Sequence, residues 1–287
     1  MFTTRIQLTL SLTVATLVAS ACMPMSKKVG MDYPALVQDD VTTFQAFFEK
    51  RFPDTEKADY INGVYSIDAD ARSQWESLEE FPPYELSVDQ GKALYETPFA
   101  NGSSYATCFG DGAVRSQYPY YDEDRAMVIT LELAINECRT ANGEKVLKYK
   151  KGDLAKVSAY MSFVSRGQAI NVDVASEGAY NAYMDGKEFF YSKRGQFNIS
   201  CADCHMRATG FYLRADVPSP GLGQTSHFPT FRTKWDALGT LHRRYGGCNE
   251  NIRAKAFSAQ SPEYRNLEYF QTVMSNGLVF NGPGSRK

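Results

Sequence analysis

The run Ser200-Cys201-Ala202-Asp203-Cys204-His205 places two thiols and an imidazole within one short stretch. Cys-x-x-Cys-His is the spacing that attaches a c-type haem. The thiols add to the two vinyl groups of the porphyrin, and the histidine reaches the iron from one face. A bare Cys-x-x-Cys also serves as a redox dithiol or as half of a zinc site. The histidine directly after the second cysteine selects haem. The sequence predicts one covalently attached haem c, bound through Cys201 and Cys204 with His205 as an axial ligand.

A six-coordinate iron needs a second ligand opposite His205. The chain has 3 histidines, and the other two, His227 and His242, are expected to be structural or solvent-facing. Met206, Met274 and Cys248 are further candidates. A thiolate on the iron would lower its potential, whereas a methionine would raise it. Arg243-Arg244-Tyr245-Gly246-Gly247-Cys248 sets cations beside the last of these candidates. On a helix, Arg244 and Cys248 are i and i+4 on one face, unless Gly246-Gly247 breaks it. A guanidinium there would stabilise a thiolate and offer a fork to an oxyanion. The alternative for Arg243 and Arg244 is a solvated helix face or a contact with haem propionates.

These groups need a scaffold and an oxidising compartment. The 287 residues are 43% hydrophobic and 13% aromatic with a net charge of −2, the composition of a chain that buries a core. No basic run appears, so nucleic acid is not an expected partner. Residues 1–21 read as a signal peptide: Arg5, an apolar run from Ile6 to Val18, then the small residues Ala19-Ser20-Ala21. The run is short for a membrane span. Export to the periplasm is the expectation. Cys22 follows the small residues directly, which leaves lipid anchoring as an alternative, although Ala19 stands where leucine is usual in that signal. Cys108, Cys138 and Cys248 then remain, an odd set outside the cytoplasm. One pair and one free thiol is the simplest outcome.

The elements follow from periodicity. Residues 22–60 read as an extended leader with a short helix from Asp39 to Arg51 through Phe44, Phe47 and Phe48. Arg125 to Arg139 carries Val128, Leu131, Ile135 and Cys138 on one helical stripe, and Asp153 to Ser165 carries Leu154, Val157, Met161 and Val164 until Gly167 stops it. Thr233 with Asp236 suggests a capping box opening a helix through Trp235, Leu238, His242 and Tyr245. Ser261-Pro262-Glu263 opens another through Leu267, Phe270 and Met274, ended by Asn276-Gly277.

The landmarks recur. Cys138 to Gly167 spans 29 positions (167 − 138), and so does Cys248 to Gly277 (277 − 248). At that offset Val157 matches Leu267, Tyr160 matches Phe270 and Ser165 matches Ser275. Gly91-Lys92 ahead of Cys108 echoes Gly186-Lys187 ahead of Cys201. Fixed-period self-similarity of this kind marks a duplicated unit. In the first copy Cys108-Phe109-Gly110-Asp111 stands where the haem motif would lie, so that copy has no attachment site. Cys108 and Cys138 are candidates to bond each other, the alternative being two buried free thiols. Cys248 is then the odd thiol, in the haem-bearing copy.

The second half, through His227-Phe228-Pro229, Trp235, Leu241-His242-Arg243-Arg244-Tyr245, Cys248-Asn249 and Ser275-Asn276-Gly277-Leu278, resembles the SoxA family, the haem subunits of SoxAX cytochromes of thiosulfate oxidation. Phe99-Ala100-Asn101-Gly102 and Glu137-Cys138-Arg139 extend the resemblance to the first half. It implies a mainly α chain of two tandem cytochrome c-like domains with long loops and few short strands: a haem-less domain over 61–175 and a haem domain over 176–287. Lacking a motif near Cys108, the chain resembles the single-haem subgroup, in which a disulfide takes that place; this matches Cys108–Cys138. The resemblance also implies Cys248 as distal ligand, often carrying a persulfide, and Arg244 as the active-site arginine. The implied activity is L-cysteine S-thiosulfotransfer, in which thiosulfate is oxidatively coupled to a cysteine of a SoxYZ-like carrier. Electrons would leave through a SoxX-like subunit to a soluble cytochrome c. The alternative function is a periplasmic electron-transfer cytochrome without thiosulfate chemistry of its own.

Overall fold

Helix α1 (Tyr33–Arg51) shows how local signals and burial agree in this chain. The computed structural model describes residues 31–286, so the expected signal peptide over 1–21 and Cys22 lie outside the described residues. The Asp32 carboxylate accepts the Ala35 N–H at 3.1 Å, a proline occupies the first turn, and Lys50 and Arg51 face the carboxyl end of the helix dipole. Val37, Val41, Phe44 and Phe48 form a buried stripe. Within the stretch expected to be an extended leader, residues 33–51 form a 19-residue core helix, longer than the one expected from Asp39.

A 3₁₀ segment (Lys57–Ser66) leads into α2 (Ala69–Glu79), α3 (Glu85–Glu96) and the short α4 (Ala106–Phe109). A hairpin of β1 (Tyr120–Asp122) and β2 (Met127–Ile129) follows, then α5 (Leu131–Ala141), α6 (Asp153–Val164) and α7 (Glu177–Tyr191). A π-helical turn (Asp203–Arg207) holds the haem motif. The chain closes with the hairpin β3 (Thr230–Arg232) and β4 (Ala237–Gly239), helices α8 (Leu241–Asn251) and α9 (Pro262–Val273), and β5 (Gly284–Arg286) parallel to β3. The structure is mainly helical with few short strands, as expected.

Two of the expected helices begin late. Ala126 and Asp236 take left-handed φ values of 49° and 47°, which turn the chain into hairpins instead. Each helix starts only after its second strand. Thr130 caps α5 by accepting the Leu133 N–H at 3.2 Å. The apolar spacing from Val128 to Ile135 runs across a strand end and a helix start, so it mimics one helical stripe.

Elements recur at a fixed offset along the chain. Helix α8 lies 110 positions after α5 (241 − 131), and β3 lies 110 after β1 (230 − 120). In each set a glycine lets two helices cross at backbone contact. A Cβ on Gly91 of α3 would overlap the Lys156 carbonyl of α6, and one on Gly186 of α7 would overlap the Asn266 carbonyl of α9. The contacts between the sets are reciprocal. Gly167 N–H donates to Phe280 O at 2.8 Å, and Gly277 N–H donates to Ile170 O at 3.0 Å. This is isologous pairing, the same patch used from both sides. The hairpins are exchanged as well. Val128 of β2 is buried in the core built on α7 and α9, while Leu238 of β4 packs with Val88 of α3 and Ala155 and Ala159 of α6.

Cys108 and Cys138 form a disulfide tying α4 to α5, with Cα atoms 6.1 Å apart and a sequence separation of 30. Closing a loop of that length restricts the unfolded chain and contributes roughly 3 kcal/mol. The double variant Cys108→Ala/Cys138→Ala is expected to unfold at lower denaturant with haem content retained; calorimetry and a haem stain on the same sample check it.

Charge is buried where the two sets meet. Glu268 of α9 lies 3.8 Å from the Arg115 guanidinium and 3.1 Å from His242 Nε2 of α8. Glu132 of α5 accepts the Ser158 hydroxyl at 2.8 Å. All but Ser158 here are charged or titratable, and all are at most 5% exposed. Burial and then the Glu268 charge push the Glu132 carboxyl above its ordinary value.

Candidate functional site

The haem motif is held by its own capping box. Ser200 Oγ accepts the Asp203 N–H at 3.1 Å, and Asp203 Oδ2 accepts the Ser200 N–H at 2.9 Å. That backbone hydrogen bond also holds the Asp203 carboxyl below its usual range. Asp203 is therefore more than a spacer between the cysteines; the Ser-x-x-Asp pattern was the signal for it. Cys201 and Cys204 are both free thiols in this turn.

His205 is fixed from behind. Its Nδ1 lies 2.8 Å from the Ser219 carbonyl, so Nδ1 donates to that oxygen and Nε2 is the nitrogen that would meet a metal. Gly221 N–H donates to the His205 carbonyl at 2.8 Å. The Gln224 amide nitrogen lies 3.0 and 3.2 Å from the two ring nitrogens. Gln224 is held in turn by Gln271, and Gln271 accepts the Tyr245 hydroxyl. Nothing in the local sequence of Ser219, Gln224 or Gln271 marks these roles, because they arise from a loop folding back on the motif and from α9 behind it.

Helix α8 runs unbroken through Gly246-Gly247 to Asn251. Arg244 and Cys248 therefore stand one turn apart on one face. The Cys248 thiol is hydrogen-bonded to the His205 side chain and lies within electrostatic reach of Arg244 and Arg232. Burial pushes this thiol up; Arg244, the His205 hydrogen bond and Arg232 outweigh that and bring it down to about 7. The motif thiols go the other way. Burial, then the Cys248 charge, raises Cys201 to about 12, and the same two causes raise Cys204. One thiol of the three is thus selected as a thiolate. In the haem-free chain iodoacetamide is expected to label Cys248 first, with a rate that climbs with pH through about 7. In Arg244→Gln that profile should move to higher pH; peptide mapping of the alkylated protein reads both.

The other ligand candidates are occupied elsewhere. His227 is buried against Phe228, with ring centroids 5.2 Å apart; burial and the neighbouring Arg286 hold it well below its usual value. His242 Nδ1 accepts the Gln260 N–H at 3.0 Å and its Nε2 faces Glu268. Met274 is core, and the Met206 sulfur accepts the Tyr191 hydroxyl at 3.4 Å. Arg243 stacks on Trp235 at 4.2 Å and donates to the Leu238 carbonyl at 3.2 Å.

The donor set suits a haem. Two unpaired thiols that would take the vinyl groups, an imidazole anchored through Nδ1 and a second sulfur beside that imidazole are the donors a covalently bound porphyrin would use. Beside the motif, Phe211 is 63% and Tyr212 73% exposed, apolar surface of the kind a porphyrin covers.

Fold and site define a cytochrome c-like chain with a sulfur facing the histidine. Residues 90–170 match the family described as SoxA/TsdA, cytochrome c domain. The chain is 62% identical over 258 residues to the L-cysteine S-thiosulfotransferase subunit SoxA of Chlorobaculum tepidum, covering 90% of each. It is 49% identical to the subunit of the same name from Allochromatium vinosum, covering 96% of this chain and 98% of that one. Among solved structures it is similar to the crystal structure of SoxXA from P. pantotrophus, with a TM-score of 0.69 and 29% identity over 75% of this chain and 84% of that one. The chain belongs to the SoxA family.

Proposed function

We propose how this chain performs the L-cysteine S-thiosulfotransfer for which its relatives are named. The observation that carries the reading is the placement of the Cys248 thiol beside His205 of the haem motif and one turn of α8 from Arg244. Arg244 binds the sulfonate of thiosulfate and offsets its charge. The Cys248 thiolate forms a sulfur–sulfur bond to the outer sulfur of thiosulfate, and two electrons leave. The thiolate of a SoxYZ-like carrier cysteine then attacks that outer sulfur and takes the thiosulfonate, releasing Cys248 as a thiolate. Summed over both steps, carrier thiol and thiosulfate give the carrier S-thiosulfonate, two electrons and one proton. A low pKa makes Cys248 a good leaving group in the second step, and the covalent stage divides one hard reaction into two easier ones.

Cys201 and Cys204 would hold one haem c covalently, His205 and Cys248 are the side chains that would ligate it, and the group would supply the electron exit. The SoxXA neighbour supports a SoxX-like partner, and a soluble cytochrome c is the acceptor. We assign residues 61–175 to a haem-less cytochrome c-like unit and 176–287 to the haem unit; the 110-position recurrence and the disulfide beside α4 support this. The thiol chemistry and the signal pattern of residues 1–21 support a periplasmic location, with lipid anchoring at Cys22 as the alternative. The plain electron-transfer reading leaves Arg244 beside Cys248 with no task. Incubating the native complex with thiosulfate and oxidised cytochrome c, without carrier, tests the route. A Cys248 peptide bearing a thiosulfonate is the expected mass-spectrometric result; acceptor reduction with Cys248 unmodified would remove the covalent stage.

A further inference from the structure

A second guanidinium lies within electrostatic reach of Cys248. Arg232 ends strand β3, where it pairs with Ala237 of β4 and Arg286 of β5. Its guanidinium lies over the Trp235 ring at 5.3 Å, and its Nε is buried with no hydrogen-bond partner. The charged groups it feels are Arg244, Cys248, Asp216 and Tyr65. Burial and then the like charge of Arg244 pull it down to about 10, so it remains a cation at neutral pH. Two cations thus approach one thiol, and one keeps a buried donor unused. The Cys248 thiolate and Asp216 offset part of that charge, but the buried Nε of Arg232 still lacks an acceptor, which is costly.

The haem-less half serves as an internal control. The positions 110 earlier are Asp122, Ala134 and Cys138, in place of Arg232, Arg244 and Cys248. Asp122 accepts the Arg125 N–H at 3.0 Å, and Cys138 is in the disulfide. The same backbone positions carry no cation where there is no free thiol. Two arginines and a thiolate come together in the half that bears the haem motif.

We propose that Arg232 is a second thiosulfate-binding residue, so that Arg232 and Arg244 grip the sulfonate together with the outer sulfur directed at Cys248. The inference rests on the transfer reaction proposed above. A dianion meets two forks, and the orphan Nε of Arg232 gains an acceptor. The same fork could instead take a haem propionate, and the test separates the two anions.

The experiment uses the haem-loaded complex with its partner subunit, as wild type, Arg232→Gln and Arg232→Lys. Anaerobic equilibrium dialysis with radiolabelled thiosulfate gives Kd, steady-state transfer to the carrier gives KM and kcat, and a redox titration gives the haem potential. Arg232→Gln is expected to raise Kd and KM roughly tenfold or more, the loss of one charge-assisted contact. Arg232→Lys keeps the charge without the fork and should fall between. If Arg232→Gln does not load haem, Arg232→Lys decides alone by its raised Kd. Thiosulfate affinity within twofold of wild type overturns the proposal, and a shifted potential in that case assigns Arg232 to a propionate. Wild-type protein that binds thiosulfate without transferring it sinks the transfer reading and leaves the Kd comparison intact.

Discussion

Cys248→Ala is expected to lower S-thiosulfotransfer by on the order of a thousandfold or more, because it removes both the nucleophile and the leaving group. Haem attachment should persist, since it uses Cys201 and Cys204, and the Ser200–Asp203 capping box that shapes their turn is untouched. The absorption spectrum should change, because the imidazole loses the sulfur that faces it. Cys248→Ser separates the two contributions: an oxygen can fill the space but is a far weaker nucleophile at neutral pH. Transfer to the carrier at the wild-type rate in either variant would end the case for a covalent stage. The Arg244→Gln protein supplies the comparison, with the sulfur kept and its ionisation moved upward.

Arg115→Met is expected to cost roughly 3–5 kcal/mol of stability, the range for breaking a buried ion pair by removing one partner. Arg115 is 2% exposed, and its removal strands Glu268 beside Glu132, both in the interior. The pH dependence has a definite sign. A carboxyl whose folded pKa is raised contributes its full stability below the unfolded value, about 4.3, and loses it as pH rises through the folded value. The deficit of Arg115→Met should therefore be largest near neutrality and shrink in acid. A thermal melt series across pH measures it, and a deficit independent of pH would mean that lost packing on Phe280, 5.0 Å from the guanidinium, dominates.

Where the fold depends on local pattern, the sequence was a sufficient guide. Cys201, Cys204 and His205 are adjacent, Arg244 and Cys248 share a helix turn, and the Ser261-Pro262-Glu263 start of α9 lies where its cap chemistry predicts. Helices α5 and α8 were misread at their starts because Val128 and Leu238 are buried strand residues at helix-like spacing from the helix that follows. Helix α1 was under-read because Val37 and Val41, its first buried turns, precede the aromatic run that draws the eye. Ser219, Gln224, Gln271 and Arg232 reach the site from loops, α9 and a strand end. Their roles depend on tertiary placement, which leaves no periodic or motif trace. The cluster of Arg115, Glu132, His242 and Glu268 is similar: each residue alone reads as a surface charge, and burial appears only when the two sets of helices close on each other.

The exchanged hairpins bear on how such a chain could have arisen. Val128 completes the interior of the later helices and Leu238 that of the earlier ones, so neither portion is finished without a loan from its counterpart. A gene fragment encoding one portion alone would leave a gap and an unsatisfied backbone edge at Gly277 or Gly167. Two copies of such a fragment would each supply the side chain that the other lacks.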